Sequence, residues 1–566
     1  MTDVADPPAT GQAPRSATGA SIARRMRVTW RAMDEPVRGP RVPGTVAVSV
    51  VAVLLMTGVS LYVVGQGGNL WYSDALSHLT IARRVFDNLS PGFQQLGTVW
   101  LPMPHPVLMP FVANLWLWST GWAAALLGII CFGASTAALY RTAARLGLGR
   151  AGRLVVLLVL WTDISALYAH TTALTEPVLL MSITACIAGM AHWATARRPM
   201  SGGELAVYAG VPAAASVLSR YEGWVLVASM AVFIVIVEWR RSHDVRPHVW
   251  RFVLLRRVLP AVAPPALAIG WWLAYNFAIY RDPLEFMFGP YSAYAQQNAL
   301  AEHGALTTKG NLGVSLYVYN WAVLDVIGVV GVVIGALGFF LLLAREGLTT
   351  PALVLGVLFG TFVFEVAALY LGQTVVQHAH SLPKGLFNVR YGLQPLPFCA
   401  LGAGFAVHHL RGMRLPGAAR IVPLLVSAAL VGQLAWWAAD VPGRVPVIAE
   451  GRANQGIRAD DAAAHLRVHY DGGGVLSDEQ GAGNTVIPLV GIPNREWYNR
   501  AAGRFFDEAL AAPAGHARWI LVNVTAGTGE DGDDLVHREM LEHPERFASY
   551  RRVYADDTHA IFKRSW

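Results

Sequence analysis

The sequence predicts a polytopic α-helical membrane protein that ends in an extracytoplasmic α/β domain. Of its 566 residues, 54% are hydrophobic and only 14% are charged, and the mean hydropathy is +0.40. A soluble globular protein carries about a quarter charged residues. The apolar residues are clustered into long runs, as membrane-spanning helices require. After residue 440 charges become frequent, and short β-like runs alternate with helical patterns, which indicates a separate domain at 440–566. Its last two β-like runs, 550–554 and 560–563, predict an edge hairpin.

About eleven apolar segments approach the ~20 residues that a bilayer requires. They lie at 44–65, 119–140, 153–170, 177–195, 205–220, 222–238, 258–280, 317–343, 350–371, 390–409 and 420–438. The apolar stretch 101–118 is interrupted by prolines, so we predict a surface or re-entrant helix there. A transmembrane domain at 44–439 would thus contain a first outer loop, 66–118, with two surface helices.

Arginine distribution predicts the orientation of the chain. Residues 1–43 are rich in Ala, Pro, Thr and Arg, and we expect a disordered cytoplasmic tail. If that tail is cytoplasmic, the arginine-rich loops near 141–153, 197–198, 240–257 and 411–420 all fall on its side. This agrees with the positive-inside rule and predicts a multi-pass plasma-membrane protein. The net charge of +7 therefore reflects topology, and no nucleic-acid-binding pattern is present.

The three cysteines give no sign of a metal site or a disulfide framework. Cys131, Cys186 and Cys399 are far apart in sequence, and each falls in an apolar segment. We interpret them as small core residues. No metal ligands are predicted from the sequence.

The polar stretch 71–86 follows the first span and is too short and too polar to cross the membrane. Its apolar residues recur at helical spacing, which predicts a helix on the membrane surface. Asp74 and His78 are four residues apart and would share one face of it. Asp74 is either a helix cap or a reactive carboxylate that faces the space between the spans.

Two further ionisable residues, His105 and Glu176, lie at the outer ends of predicted spans. His105 is in the proline-rich stretch of the first loop, and Glu176 opens a span after a short turn. A first-turn carboxylate is also favoured by the helix dipole, so Glu176 has a structural as well as a catalytic interpretation.

The arginines at the outer ends also have two interpretations each. Arg220 and Glu222 are two residues apart between spans, where they form either an ion pair that holds the turn or part of a reactive site. Arg390 and Tyr391 enter a late span, where a snorkelling arginine and an interfacial tyrosine are common.

Taken together, these residues predict a cavity at the outer face with carboxylates and arginines. A carboxylate suits a general base that removes a proton from an acceptor hydroxyl. Arginines suit a phosphate group, which they can bind bidentately. A cavity open to the bilayer with both fits an amphiphile that carries a phosphate, such as a polyprenyl phosphate.

Residues 44–410 resemble the C-type (GT-C) integral-membrane glycosyltransferases, the superfamily of protein O-mannosyltransferases and lipid A aminoarabinose transferases. The matching features are Asp74 in the first outer loop, His105-Pro106 with Pro110 before the second span, Glu176-Pro177 at the third-to-fourth span, and Arg390-Tyr391 with Pro397 at a late span.

The resemblance implies roles for these positions. Asp74 and Glu176 would be catalytic, and Arg220, Arg390 and Tyr391 would bind the phosphate and lipid of the donor. Supporting roles would fall to His78, His105 and Glu222. The chain lacks the adjacent acidic pair of the protein O-mannosyltransferases and an Asp-x-Asp in the first loop. A protein acceptor and an obligatory metal are therefore less favoured, and a divalent metal stays open.

The function expected from this resemblance is glycosyl transfer without a resident cofactor. A polyprenyl-phosphate sugar would donate its sugar to a glycan, lipid or protein hydroxyl at the outer face of the plasma membrane. The alternative is a transporter or flippase of a lipid-linked or small polar substrate. A scaffold whose outer domain does the binding is a third interpretation.

Overall fold

The protein is described by a computed structural model that covers residues 37, 39, 41–198, 200–241, 247–290, 292–302, 304, 306–413, 417–479, 484–525 and 534–565. The predicted disordered tail, 1–43, falls almost entirely outside these residues. The described chain is mainly helical, with a five-stranded sheet in its last hundred residues.

Nineteen helices make up the first part of the described chain. They are α1 Thr45–Gly65, α2 Ser73–Arg84, α3 Pro104–Val112, α4 Leu115–Ser119, α5 Trp122–Arg145, α6 Arg150–Trp161, α7 Ile164–Ala169, α8 Glu176–Thr195, α9 Gly202–Leu205, α10 Val211–Val217, α11 Glu222–Arg241, α12 Pro247–Tyr280, α13 Glu285–Phe288, α14 Ala293–Glu302, α15 Leu312–Ile327, α16 Val329–Glu346, α17 Thr350–Tyr370, α18 Leu396–Arg411 and α19 Ala418–Ala438.

Within the described residues, eight helices are long and apolar enough to cross a membrane. They are α1, α5, α8, α11, α12 from residue 255, α16, α17 and α19 from residue 420. The membrane protein predicted from composition is confirmed, whereas the predicted number of eleven spans is not. Three of the predicted segments, 153–170, 205–220 and 390–409, form shorter or interrupted helices.

Local sequence explains these interruptions. Asp163 separates α6 from α7 because its side chain accepts a hydrogen bond from Ala166 N at 2.9 Å and caps the new helix. The predicted span 317–343 breaks between α15 and α16 at Gly328, which has a φ of 82°. A π-helical turn, 206–210, joins α9 to α10.

Helices α16 and α18 pack at very short range through glycines. A Cβ atom added to Gly338 would lie 1.8 Å from the carbonyl oxygen of Gly402, and one added to Gly335 would lie 2.7 Å from Cys399 Cα. Small residues let two helix backbones approach closely where apolar side chains gain little from leaving lipid. This contact fixes the helix that follows Arg390.

The first loop contains two helices, α2 and α3, where the sequence predicts helices, and they pack against each other. Prolines at the start of α3 set its N-terminus, and α4 follows it directly. Leu79, Leu108 and Val112 are buried in the main hydrophobic core. The loop is therefore packed into the hydrophobic core and places Asp74 and His78 against the helical bundle.

The C-terminal part is an α/β unit, as predicted. Its helices are α20 Val441–Arg444, α21 Pro446–Gly456, α22 Asp460–His469, α23 Asn484–Val490, α24 Arg504–Ala511, α25 Pro513–His516 and α26 Leu535–Glu542. Its strands are β1 Val475–Ser477, β2 Trp497–Tyr498, β3 Trp519–Asn523, β4 Tyr550–Ala555 and β5 His559–Arg564.

The sheet has the order β2-β1-β3-β5-β4, in which β1 runs parallel to β2 and β3. The hairpin of β4 and β5 pairs antiparallel and leaves β4 at the edge, where the sequence predicts an edge hairpin. The unit rests on the first loop, because α23 packs on α2 and Asn494 N donates to Asp87 at 3.3 Å. We call this end of the helical bundle the domain end.

Candidate functional site

The candidate site lies at the domain end, where α2, α8, α11 and the 3₁₀ turn Val389–Leu393 meet. Asp74, Glu176 and Glu222 each lie in the first turn of a helix. The positive end of the helix dipole favours a carboxylate at such a position. The side chain of Asp74 forms no helix cap and binds Arg390 instead, at 2.5 Å from Oδ2 to Nη2. The capping interpretation is therefore not what the structure shows.

Arg390 is surrounded by carboxylates. Besides Asp74, its Nε donates to Glu176 Oε1 at 3.2 Å and its Nη1 donates to Glu450 Oε1 at 3.4 Å. The side chain is 7% exposed. A buried guanidinium is tolerated when its charge is paired and its donors are used, which is the case here.

Arg220 is joined to the same cluster through Glu176. Its Nη1 lies 3.2 Å from Glu176 Oε1, the oxygen that also receives Arg390, and its Nε donates to Glu222 Oε1 at 2.8 Å. The predicted ion pair of Arg220 and Glu222 is thus present. The guanidinium of Arg220 also lies over the ring of Tyr391, 4.1 Å from its centroid.

Exposure separates the carboxylates into two kinds. The side chain of Asp74 is 36% exposed, whereas that of Glu176 is fully buried and that of Glu222 is nearly so. Arg220 is 13% exposed, and its Nη2 has no hydrogen-bond partner among the described residues. The groups of this cluster that are open to a substrate are therefore Asp74 and one edge of Arg220.

The two predicted supporting histidines form a pair of their own. His78 Nδ1 and His105 Nε2 lie 2.9 Å apart, and the ring of Trp100 packs on His78. Burial, together with the positive charges of Arg390 and Arg220, lowers the pKa of His78 to about 3. The neutral pair links α2 to α3 behind Asp74, and His78 makes no hydrogen bond with Asp74 itself.

Three residues of the site were not found from the sequence. Glu450 comes from α21, after the last long helix, and Tyr72 lies beneath the Arg390 guanidinium, 5.2 Å from the ring centroid. Glu365 is buried within the apolar helix α17, close to the carboxyl group of Glu222. An ionisable residue inside an apolar span is itself a signal of function, so Glu365 could have been found. Nothing in the local sequence singles out Glu450.

Side chains that could hold a metal ion are clustered elsewhere. In the part of the chain that the structure describes, one group places histidine and carboxylate ligand atoms within 4.8 Å of one another, and it consists of Glu346, His408 and His409. These residues end α16 and α18 at the opposite end of the bundle, where Arg345 also donates to the carbonyl of His409 at 2.7 Å. The carboxylates of the candidate site are engaged by arginines instead.

Comparison with known proteins identifies the architecture. No family model and no curated protein sequence matches the chain. Among solved structures, the crystal structure of ArnT from Cupriavidus metallidurans in the apo state superposes with a TM-score of 0.51. The match covers 97% of this chain and 98% of the other.

The chain has the fold of ArnT. This confirms the GT-C-like fold that the resemblance implied. The ArnT likeness also extends beyond the 44–410 region, since a match over 97% of the chain includes the C-terminal α/β unit. Sequence identity to ArnT is 13%, so the likeness is one of fold.

Proposed function

We propose that the protein is a membrane glycosyltransferase that uses a polyprenyl-phosphate sugar as donor. Its acceptor is a hydroxyl group of a glycan, a lipid or a protein, and Asp74 is the general base. The observation that carries the proposal is the Asp74–Arg390 pair, in which a partly exposed carboxylate is fixed by a buried guanidinium. The ArnT fold supports the same reaction class.

The reaction needs one base and one group that accepts negative charge. The acceptor oxygen bonds to the anomeric carbon of the sugar while the bond from that carbon to the phosphate oxygen breaks. The hydroxyl proton passes to Asp74, and the electron pair leaves with the phosphate, which gives inversion. Arg220 has an open Nη2 that can bind this phosphate, and Tyr391 supports the guanidinium from below.

The buried members of the cluster hold these two groups in place. Glu176 binds both arginines through one oxygen, so we assign it to the support of Arg220 and Arg390 rather than to contact with substrate. Arg390 is already shared by three carboxylates. Its part in donor binding is therefore indirect, through the orientation of Asp74.

The outer face of the plasma membrane is the proposed place of reaction. Arg145, Arg241, Arg345 and Arg411 end helices at the opposite end of the bundle from Asp74. The positive-inside rule assigns that end to the cytoplasm, which leaves the site and the α/β unit on the outside.

The proposal is tested by mass spectrometry of lipid and glycan extracts. A strain that lacks the protein is complemented with the wild type, with Asp74→Asn or with Asp507→Asn, a matched change at an exposed carboxylate of α24. We expect a polyprenyl-phosphate sugar to accumulate and one glycan residue to disappear, both in the null strain and with Asp74→Asn. In membranes, transfer by Asp74→Asn should fall by about 10²–10⁴-fold, as expected for loss of a general base.

Two results would count against this function. If Asp74→Asn restored the wild-type profile, Asp74 would not be the base. If the null strain did not differ from the wild type in any lipid-linked sugar, a transporter or a scaffold would become the better interpretation.

A further inference from the structure

Glu450 is a buried carboxylate of the site that lies on none of the long apolar helices. It belongs to α21, between α19 and the first strand, and it is 2% exposed. Its Oε1 accepts hydrogen bonds from Asn388 N at 2.8 Å and from Arg390 Nη1 at 3.4 Å, and its Oε2 accepts one from Val389 N at 3.0 Å. One carboxylate therefore holds both the backbone and the guanidinium of the segment that carries Arg390.

The backbone of this segment needs such an anchor. Asn388 has a φ of 55°, in the left-handed region that non-glycine residues seldom adopt. The two amides bound by Glu450 start the 3₁₀ turn in which Arg390 lies, and amides at a helix start lack partners within the helix. A carboxylate at this point satisfies both amides and sets the direction in which the Arg390 side chain leaves the backbone.

The same helix also holds the start of α2, which carries Asp74. Tyr72 donates its hydroxyl to the carbonyl of Val447 at 2.7 Å, and Ser73 N donates to Asn454 Oδ1 at 3.3 Å. Asn454 in turn donates to the carbonyl of Glu450 at 3.0 Å. Burial, with Glu450 close by, raises the pKa of Tyr72 well above its usual range, so this hydroxyl stays a donor.

We propose that Glu450 is a positioning residue that aligns Arg390 with Asp74, so that α21 is part of the active site. The proposal rests on the proposed function for its catalytic meaning. Asp74 and Arg390 are 316 positions apart in the chain, and one short helix binds both Arg390 and Ser73, the residue that precedes Asp74. The alignment acts on the orientation of the base and leaves the open edge of Arg220, the proposed phosphate contact, untouched.

The test compares Glu450→Gln with Glu508→Gln, a matched change at an exposed position of α24. Purified full-length proteins are assayed with a polyprenyl-phosphate sugar as donor. For Glu450→Gln we expect kcat to fall about tenfold or more while KM for the donor changes less than about threefold. In an Arg390→Lys background, adding Glu450→Gln should lower kcat by less than about twofold, because Glu450 acts through Arg390.

Equal kcat values for Glu450→Gln and Glu508→Gln would overturn the proposal. Full additivity with Arg390→Lys would do the same, because Glu450 would then act independently of Arg390. If Glu450→Gln does not fold, the same comparison is made with Glu450→Asp, which keeps the charge and shortens the reach.

A second measurement separates this inference from the proposed function. Amide hydrogen exchange of the peptide that covers 386–392 should be faster in Glu450→Gln than in the wild type and unchanged in Glu508→Gln. Unchanged exchange in Glu450→Gln would refute the anchoring role even if the enzyme is active. If the wild type transfers no sugar, the proposed function fails, and the exchange result still decides whether Glu450 holds this segment.

Discussion

Arg390 divides its guanidinium nitrogens among Asp74, Glu176 and Glu450. Such a site is costly to disturb, because removal of one partner from a buried ion pair commonly destabilises a protein by about 3–5 kcal/mol. Substitution of the buried members is therefore expected to change folding as well as the proposed reaction. Asp74 is the more informative target, since its partial exposure lets it be changed with less effect on the fold.

The buried His78–His105 pair predicts a dependence of stability on pH. The pKa of His78 is about 3 in the folded protein and near 6.5 in the unfolded chain, so the unfolded chain binds the proton first as the pH falls. The contribution of His78 to the free energy of unfolding is therefore fully present above pH 6.5 and is lost progressively as the pH falls toward 3. One such group contributes a slope of up to about 1.4 kcal/mol per pH unit.

We expect His78→Asn to flatten this dependence. The measurement is the thermal unfolding midpoint of the full-length protein in detergent between pH 7 and pH 4.5, for His78→Asn and for His469→Asn at an exposed site. The His469 variant should keep the slope of the wild type. An equally steep slope for His78→Asn would show that the buried imidazole does not contribute to it.

The contact between α16 and α18 gives a prediction about packing. A side chain at Gly338 would meet the backbone of α18, which cannot move aside as the end of a side chain can. We expect Gly338→Val to lower the unfolding midpoint by several degrees, consistent with the roughly 1–3 kcal/mol cost of overpacking. The same change at Gly356 in α17, where nothing lies within 4 Å, should have little effect.

Equal unfolding midpoints for Gly338→Val and Gly356→Val would contradict this prediction, because α16 and α18 would then accommodate the side chain without loss of stability. A loss of transfer in Gly338→Val at temperatures where it stays folded is also expected, because α18 carries the turn of Arg390 on its N-terminal side.

The sequence was sufficient for elements whose signal is local. The sequence predicts the spans with uninterrupted apolar runs, the helix that carries Asp74 and the edge hairpin of β4 and β5. Gly328 and Asp163 were not recognised as breaks, because the apolar pattern continues through both. A polar group that interrupts a run by capping a new helix leaves only a weak mark in hydropathy.

The site could be predicted only as a set of residues. Asp74, Glu176, Arg220 and Arg390 were singled out by type and by place at span ends, and the structure brings them together. Which carboxylate binds which arginine depends on contacts between distant parts of the chain. Glu450 was missed for the same reason, because neither its neighbours in the sequence nor its position in a short helix distinguishes it from a surface carboxylate.

The arrangement of the whole molecule allows a direct test of orientation. All three cysteines are buried, so an added cysteine is labelled against a low background. We expect a membrane-impermeant maleimide to label Glu508→Cys in intact cells and to label Gly412→Cys only after the membrane is opened. These positions lie in the α/β unit and at the opposite end of the bundle, and both are exposed.

Labelling of Gly412→Cys in intact cells, with Glu508→Cys protected, would reverse the orientation. The proposed site would then face the cytoplasm. Labelling of the wild type serves as the control for the native cysteines.

The pairing of distant residues also matters while the protein is being made. Arg390 is synthesised 316 residues after Asp74, and Glu450 is synthesised 60 residues after Arg390. A chain released before residue 450 therefore contains most of the long helices but lacks the carboxylate that binds the Arg390 segment. The contacts that join Asp74, Arg390 and Glu450 are therefore completed only when synthesis of the chain is nearly finished.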